Sequence, residues 1–169
     1  MKVKRPIVIK GDIAYIQLTK GYTAVIDAND VPIVDGFNWC VLVTKRIAYA
    51  RTFLPRVNGI QKEVLMHRLI TGVCQDLQVD HKDGDGLNCR RANMREATNS
   101  QNRLNLRKPL NNTSGFKGVS WSKSSSKWES RITFNNKTFN LGYFDSIELA
   151  HAAYVKSSAE LHGEFGRVE

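Results

Sequence analysis

Short apolar or alternating runs fill residues 12–53. DIAYIQL, YTAVID, WCVLV and IAYARTF are strand-like, and Gly21, Asn29-Asp30, Pro32 and Gly36 punctuate them as turns. In the last run Ile47, Tyr49, Arg51 and Phe53 share one face. KEVLMHRLITG follows. Val64, Leu65, Arg68 and Leu69 fit helical spacing with Gly72 as the residue past the end, and a strand running into a helix fits as well. RKPLNNTSG, residues 107–115, is a connector: Pro109 stops a preceding helix, and Asn, Thr, Ser and Gly cannot anchor a core. A domain boundary is placed there.

Beyond it, residues 117–121, 127–134 and 137–144 are three strand candidates. In the middle one Trp128, Ile132 and Phe134 alternate with Lys127, Glu129, Arg131 and Thr133, which makes one face apolar and leaves the other polar and open. A helix follows, with Asp145 as N-cap, Glu148 at N3 and Phe144 stapled to Leu149. It runs to about His162, Gly163 ends it, and Ala150, Ala153, Tyr154, Ser157 and Leu161 form its inner stripe.

Between these regions lies VDHKDGDGLNCRRANMREATNSQNRLN, residues 79–105. Asp80-His81 ends a short apolar approach. A polar loop with Gly84 and Gly86 follows, and Asn93-Met94-Arg95 turns into a second short strand. Thr98 then caps a helix with Gln101 at N3, Asn102 falls one turn in, and Pro109 ends the run. The expected order is strand, loop, strand, helix.

Charge adds a partner to this picture. Twenty-five Lys and Arg against 16 Asp and Glu give +9, an excess that leans towards the first two thirds of the chain and suits a polyanion such as nucleic acid. No apolar run approaches the roughly 18–20 residues of a membrane span, and no signal peptide is read, so a cytoplasmic protein of the bacterial or phage-infected host cytosol is expected. Cys40, Cys74 and Cys89 form no Cys-x-x-Cys pair, which excludes a four-cysteine zinc clip and leaves reduced thiols.

The residues of the 79–105 segment suit phosphodiester hydrolysis. The Asp80 carboxylate and the Asn102 carbonyl oxygen are hard ligands for Mg²⁺ or Mn²⁺, and leave positions for water and phosphate. A neutral imidazole at His81 can take a proton from water near neutral pH. A calcium loop starting at Asp80 fails, because its twelfth position is Arg91 rather than Glu. Asp83 and Asp85 are read as loop formers, and His67 as packed or near DNA. Arg90, Arg91, Arg95 and Arg103 hold phosphates beside the cut or form a solvated basic face, and the same choice stands for Arg46, Arg51 and Arg56.

This segment resembles the His-Asn-His (HNH, ββα-metal) nucleases, with Asp-His, a Gly/Asp loop, an Asn-x-Arg turn and an Asn on the helix. The resemblance implies that Asp80 binds metal, His81 is the general base, Asn93 holds the loop by hydrogen bonds and Asn102 is the second metal ligand. An Asn in place of the final His is typical of phage and intron-borne homing endonucleases. His-Arg-Leu at 67–69 also stands in similar phage proteins, and residues 1–66 resemble, weakly, their β-rich leader.

Residues 116–169 resemble the plant ethylene-response-factor (APETALA-class) DNA-binding domain through Lys117-Gly118-Val119, Lys127-Trp128, Ile132, Leu141-Gly142-Tyr143-Phe144, Glu148-Leu149-Ala150, Ala153-Tyr154 and Gly163. In that family the sheet enters the major groove. The implied DNA-facing residues are Lys117, Ser120, Ser122, Lys123, Lys127, Arg131, Thr133 and Lys137. Lys117, Ser120, Ser122 and Thr133 stand where plant members carry Arg, so DNA binding carries over better than any base preference.

The expected fold is α+β: a β-rich N-terminal region (1–66), the nuclease motif (67–108), a linker (109–115) and a three-stranded antiparallel sheet packed on one helix (116–169). The expected function is a metal-dependent, sequence-directed endonuclease of double-stranded DNA, of homing type, with one active-site motif and a monomer that nicks. A DNA-binding regulator with a decayed nuclease is the alternative. An RNA-directed nuclease or binder is disfavoured, because the sheet lacks the paired aromatic platform of common single-strand readers.

Overall fold

The computed structural model describes residues 5–109 and 111–168. The class is α+β, several small antiparallel sheets with few helices, in agreement with the sequence pattern. The chain divides after Thr98 into two units, Met1–Thr98 and Asn99–Glu169.

The first unit opens with β1 (Ile7–Lys10), β2 (Ile13–Gln17) and β3 (Thr23–Asp27), an antiparallel meander. Ala14 and Ile16 on β2 and Ala24 and Ile26 on β3 alternate inward and are buried, the period-2 pattern of a half-buried sheet. The short α1 (Val31–Val34) leads to a second meander of β4 (Cys40–Val43), β5 (Ala48–Phe53) and β6 (Glu63–Leu65). Trp39 is buried ahead of β4 and donates its indole N–H to Val34 O at 2.9 Å, the satisfaction a buried indole needs.

Of the two sequence readings for residues 62–72, the strand running into a helix is the one observed. β6 passes directly into α2 (Met66–Thr71), and Gly72 ends the helix at φ 67°, left-handed geometry that glycine adopts without strain. Met66 and Ile70 face the core at i and i+4. β7 (Gln78–His81) and β8 (Met94–Ala97) then pair antiparallel, with Asp80 opposite Arg95 and His81 opposite Met94.

The second unit contains α3 (Asn99–Leu104), the sheet β9 (Val119–Ser122), β10 (Lys127–Phe134) and β11 (Lys137–Phe144) in the order β11-β10-β9, and α4 (Ile147–His162). Val119 and Ile132 from the sheet and Ala150 and Tyr154 from α4 are its buried apolar core.

Four details depart from the sequence reading. First, α3 stops at Leu104, well before Pro109; the Lys117 ammonium donates to Leu104 O (2.7 Å) and Leu106 O (2.8 Å), giving the final carbonyls a partner. Second, Ser146 rather than Asp145 is the N-cap of α4: Ser146 is extended and its Oγ accepts from Leu149 N at 3.2 Å, while Asp145 meets Lys127 Nζ at 3.0 Å. Third, the inner stripe of α4 ends in Ser158 and His162, not Leu161. His162 Nε2 donates to Thr133 O at 2.9 Å and its Nδ1 lies 3.3 Å from Ser158 Oγ, which turns that side of the helix to the sheet. Fourth, Glu129 on the expected polar face is buried, held by Arg131 Nη2 (2.7 Å) and Asn140 Nδ2 (2.9 Å).

Gly118 precedes β9 at φ +74°, and a Cβ there would overlap the Tyr154 ring and come within 2.6 Å of Arg131 O. Gly118→Ala should therefore destabilise the second unit by about 1–3 kcal/mol, since overpacking adds to backbone strain. Amide exchange is expected to speed up across β9–β11 and α4 while β1–β8 keep their protection.

Candidate active site

The β7–β8 ladder positions the first two candidate residues. Asp80 and His81 are consecutive, so their side chains leave opposite faces of β7, and both are buried, at 3% and 6% exposure. The Asp80 carboxylate accepts from Arg95 through Nε (2.8 Å) and Nη2 (2.7 Å), both on Oδ2. Arg95 is the residue opposite Asp80 in the ladder, so the pair is set by the strand register.

The loop between the strands is held from within. Asn93 Nδ2 donates to Asp83 Oδ1 (3.0 Å) and Asn88 O (2.8 Å), and its Oδ1 accepts from Asp83 N (3.1 Å). Asp83 also accepts from Asp85 N and Asn88 Nδ2, and Asp85 Oδ1 accepts from Leu87 N. Burial pushes the Asp83 carboxyl up, but these donors outweigh it and hold it below the usual range. Gly86 lets the loop approach the second meander, since a Cβ there would meet Ala48 O at 2.5 Å and the Tyr49 ring at 2.6 Å.

The outer side of the loop is fastened to the first meander. Val25 on β3 donates to Leu87 O (2.9 Å) and accepts from Cys89 N (2.7 Å), a parallel bridge. Asp27 accepts from Arg90 Nε and Arg91 N, both at 2.8 Å, and Asp12 meets Arg90 at 3.3 Å. Arg91 forks onto the buried Asp30 (Nη2 to Oδ1 2.8 Å, Nε to Oδ2 3.0 Å) and donates to Ile70 O. Arg90 and Arg91 are thus engaged in building the loop.

His81 sits in an aromatic nest. The His67 ring packs edge-on to it at 5.1 Å between centroids, and Tyr49 lies 5.4 Å from His67 and 6.1 Å from His81. Burial lowers the pKa of His81 against the opposing pull of Asp83, Asp80 and Asp85, so the imidazole is neutral near pH 7 and able to accept a proton. Burial, and then the neighbouring His81 and Arg68, push His67 down to about 3. His67 Nδ1 is buried without a hydrogen-bond partner among the described residues. Tyr49 went unnoticed in the sequence, where only its place on a strand face marked it. The acidic partners Asp27 and Asp30 sit more than sixty residues upstream of their arginines, with no local signal.

The structure brings Asp80, His81, Asn93 and Arg95 together in the first unit. Asn102 and Arg103 lie on α3 in the second. Arg90 and Arg91 lie in the first unit, in the loop they build, and the DNA-facing residues expected from residues 116–169 lie in the second. Ser120 and Ser122 are on β9, Lys123 is in the exposed turn after it, and Arg131 and Thr133 on β10 and Lys137 on β11 are exposed. Lys127 is half-buried beside Asp145. Lys117 differs: its ammonium binds the carbonyl of Leu104, the last residue of α3, and that of Leu106 beyond it, and burial, with the Arg167 charge, lowers it to about 8.

Among the described residues no group of three or more His, Cys, Asp or Glu is arranged to hold a metal ion. The candidate donors are one carboxylate, oriented by Arg95, and one side-chain amide. An all-oxygen pair of this kind fits Mg²⁺ or Mn²⁺, which keep several waters and take ligands from substrate phosphate.

Residues 64–104 match the family model for HNH endonucleases, a stretch that runs from β6 through α3 and includes His67. Protein 3.8 of Escherichia phage T7 is 39% identical over 89 residues, which cover 53% of this chain and 73% of that protein. No solved structure matches the chain. No helix of the described residues is long and apolar enough to cross a membrane.

The buried histidine gives the fold a pH dependence. Unfolded, His67 binds a proton below about pH 6.5; folded, only near 3. Its contribution to stability is therefore complete above 6.5 and declines by about 1.4 kcal/mol per unit as pH falls towards 3. Unfolding free energies from urea titrations at pH 7.5 and 5.0 should differ by about 2 kcal/mol from this group alone, and His67→Phe should shrink the difference. An equal loss in both proteins would show that the pH dependence lies in other groups.

Proposed function

The chain belongs to the family of phage T7 Protein 3.8 and carries an HNH endonuclease domain at residues 64–104, and we propose that it is a metal-dependent, sequence-directed endonuclease of double-stranded DNA. The observation that carries the reading is the loop between β7 and β8, braced by Asn93, which follows a neutral, buried His81 and lies inside the matched segment.

In this reading His81 takes the proton of the attacking water, and Asn93 keeps the loop in the shape that presents it. Tyr49 and His67 exclude bulk water from the imidazole and fix its plane. Asp80 and Asn102 hold the divalent ion, which when bound supplies charge neutralisation at the scissile phosphate. Arg95 keeps the Asp80 carboxylate oriented. The second unit, resembling ethylene-response-factor domains, places the enzyme on the duplex through the polar face of its sheet. Ser120, Ser122, Arg131 and Thr133 reach towards base edges there, and Lys123, Lys127 and Lys137 towards phosphates. With one active-site motif, a monomer nicks one strand, and the homing type rests on Asn102 at the final motif position.

A second reading, a DNA-binding regulator without cleavage, draws support from the Asp80–Arg95 pair, which engages one oxygen of the candidate metal ligand. Supercoiled plasmid with and without Mg²⁺ separates the two: the nuclease converts it to nicked circles only with metal, whereas a regulator retards it unchanged.

His81→Ala should lower nicking by about 10²–10⁴-fold with duplex affinity nearly unchanged, because the imidazole acts on water. Asp80→Asn preserves shape and should shift the Mg²⁺ titration to higher concentration, as should Asn102→Ala. Wild-type turnover by His81→Ala, or an Asn102→Ala titration that overlays the wild type, would remove that residue from its role.

A further inference from the structure

Within the second unit, α3 and the tip of the β10–β11 hairpin enclose a cleft of about 330 Å³ lined by Ser100, Arg103, Leu104, Thr133, Asn135 and Asn136. Ser100, Arg103 and Leu104 are at i, i+3 and i+4 and share one face of α3, whereas Asn102 lies about 200° around the helix from Ser100. The helix thus offers one side to the hairpin and a different side to the motif position that Asn102 fills. Opposite it, Phe134 pairs with Lys137, so Asn135 and Asn136 are a two-residue turn, and both are left-handed, at φ 48° and 61°.

The lining is rich in donors: a guanidinium, two hydroxyls and two amides. None of the six residues carries a carboxylate. Leu104 supplies an apolar wall. A cation fits such a lining poorly. An anion with a sugar attached fits it well, and a guanidinium is the side chain whose fork matches phosphate oxygens.

We propose that this cleft seats one sugar-phosphate unit of a DNA strand, with the phosphate on Arg103 and the Asn135 and Asn136 amides and the deoxyribose against Leu104. The proposal rests on the reading of the chain as a DNA endonuclease. It gives the hairpin tip a task the sheet face does not perform: fixing the backbone to the helix that carries Asn102, and so setting the spacing between the sequence read and the bond cut. Backbone contacts position without specifying, so the cleft contributes affinity and register, not base preference.

The turn permits a test that spares the fold, because glycine adopts both left-handed positions freely while removing both amides. N135G/N136G should melt like the wild type yet bind duplex about tenfold more weakly, the scale of losing hydrogen bonds to a charged group. Arg103→Gln should lower the slope of log affinity against log salt by about one. Both should keep the wild-type order of preference among target sequences, and the Asn135 and Asn136 side-chain amide resonances should shift when duplex is added. Wild-type affinity and salt slope in both variants, with the wild type itself binding and nicking DNA, would overturn the cleft while leaving the nuclease reading intact. Amide shifts produced by a deoxynucleoside monophosphate but not by duplex would overturn it in favour of a free-nucleotide site. If the wild type neither bound nor cut duplex, the nuclease reading would fall first and the cleft with it.

Discussion

A carboxylate buried as deeply as Asp80 needs a cation in contact to replace the water it loses. Arg95 is that cation, and it stands directly across the β7–β8 ladder. A slip of one residue would move every side chain of β8 to the other face and break this pair. The ion pair therefore selects the register, and the register places His81 opposite Met94 and starts the loop with Asn93 beside Asp83. The same constraint recurs where Asp30 meets Arg91 and where Glu129 meets Arg131. Replacing one member of such a pair, even by its neutral isostere, tests folding before it tests chemistry, so a melt has to accompany any activity measured for an Asp80 variant.

The β-rich N-terminal region gains a definite physical role from these pairs. β3 lends its edge to the motif loop through Val25, and Asp27 and Asp30 beyond it grip consecutive arginines of that loop. β5 contributes Tyr49, against which both Gly86 and the two histidines pack. A polar loop rich in Gly and Asp has little apolar surface of its own and cannot hold one conformation by burial. It is shaped instead by Asn93 from within and by the two meanders from outside.

What could be read from the sequence was what depends on neighbours along the chain. Strand alternation in residues 13–27 and 127–134, the glycine ends of α2 and α4, and the strand-loop-strand order around Asp80-His81 are all local patterns. What could not be read was distant pairing. Arg90 and Arg91 look the same in sequence whether they meet phosphate or Asp27 and Asp30. Lys117 carries no local sign that its ammonium terminates α3. The exchange of Asp145 for Ser146 as N-cap shows the finer limit: both are good caps, and Lys127, eighteen positions upstream in the chain, is what occupies Asp145. At the candidate site the residues next to one another in the motif were legible. The aromatic nest around His81 was not, because Tyr49, His67 and His81 come from three separate elements.

The distribution of charge then separates two tasks that net charge merges. Of the +9 excess, the arginines nearest the motif are committed: Arg90 and Arg91 to Asp12, Asp27 and Asp30, and Arg95 to Asp80. Such pairs hold geometry and contribute little field at a distance, since the opposite charges nearly cancel beyond a Debye length of about 10 Å. Long-range attraction for a polyanion must come from cations away from the loop, and exposed ones stand at Arg46 and Arg56 in the first unit and at Arg103, Lys123 and Lys137 in the second. A loop whose arginines are paired internally keeps its shape without drawing on the exposed cations. In the proposed nuclease, phosphate would be drawn in by the exposed cations, while the motif residues keep positions fixed by their own partners and need no rearrangement when the substrate arrives.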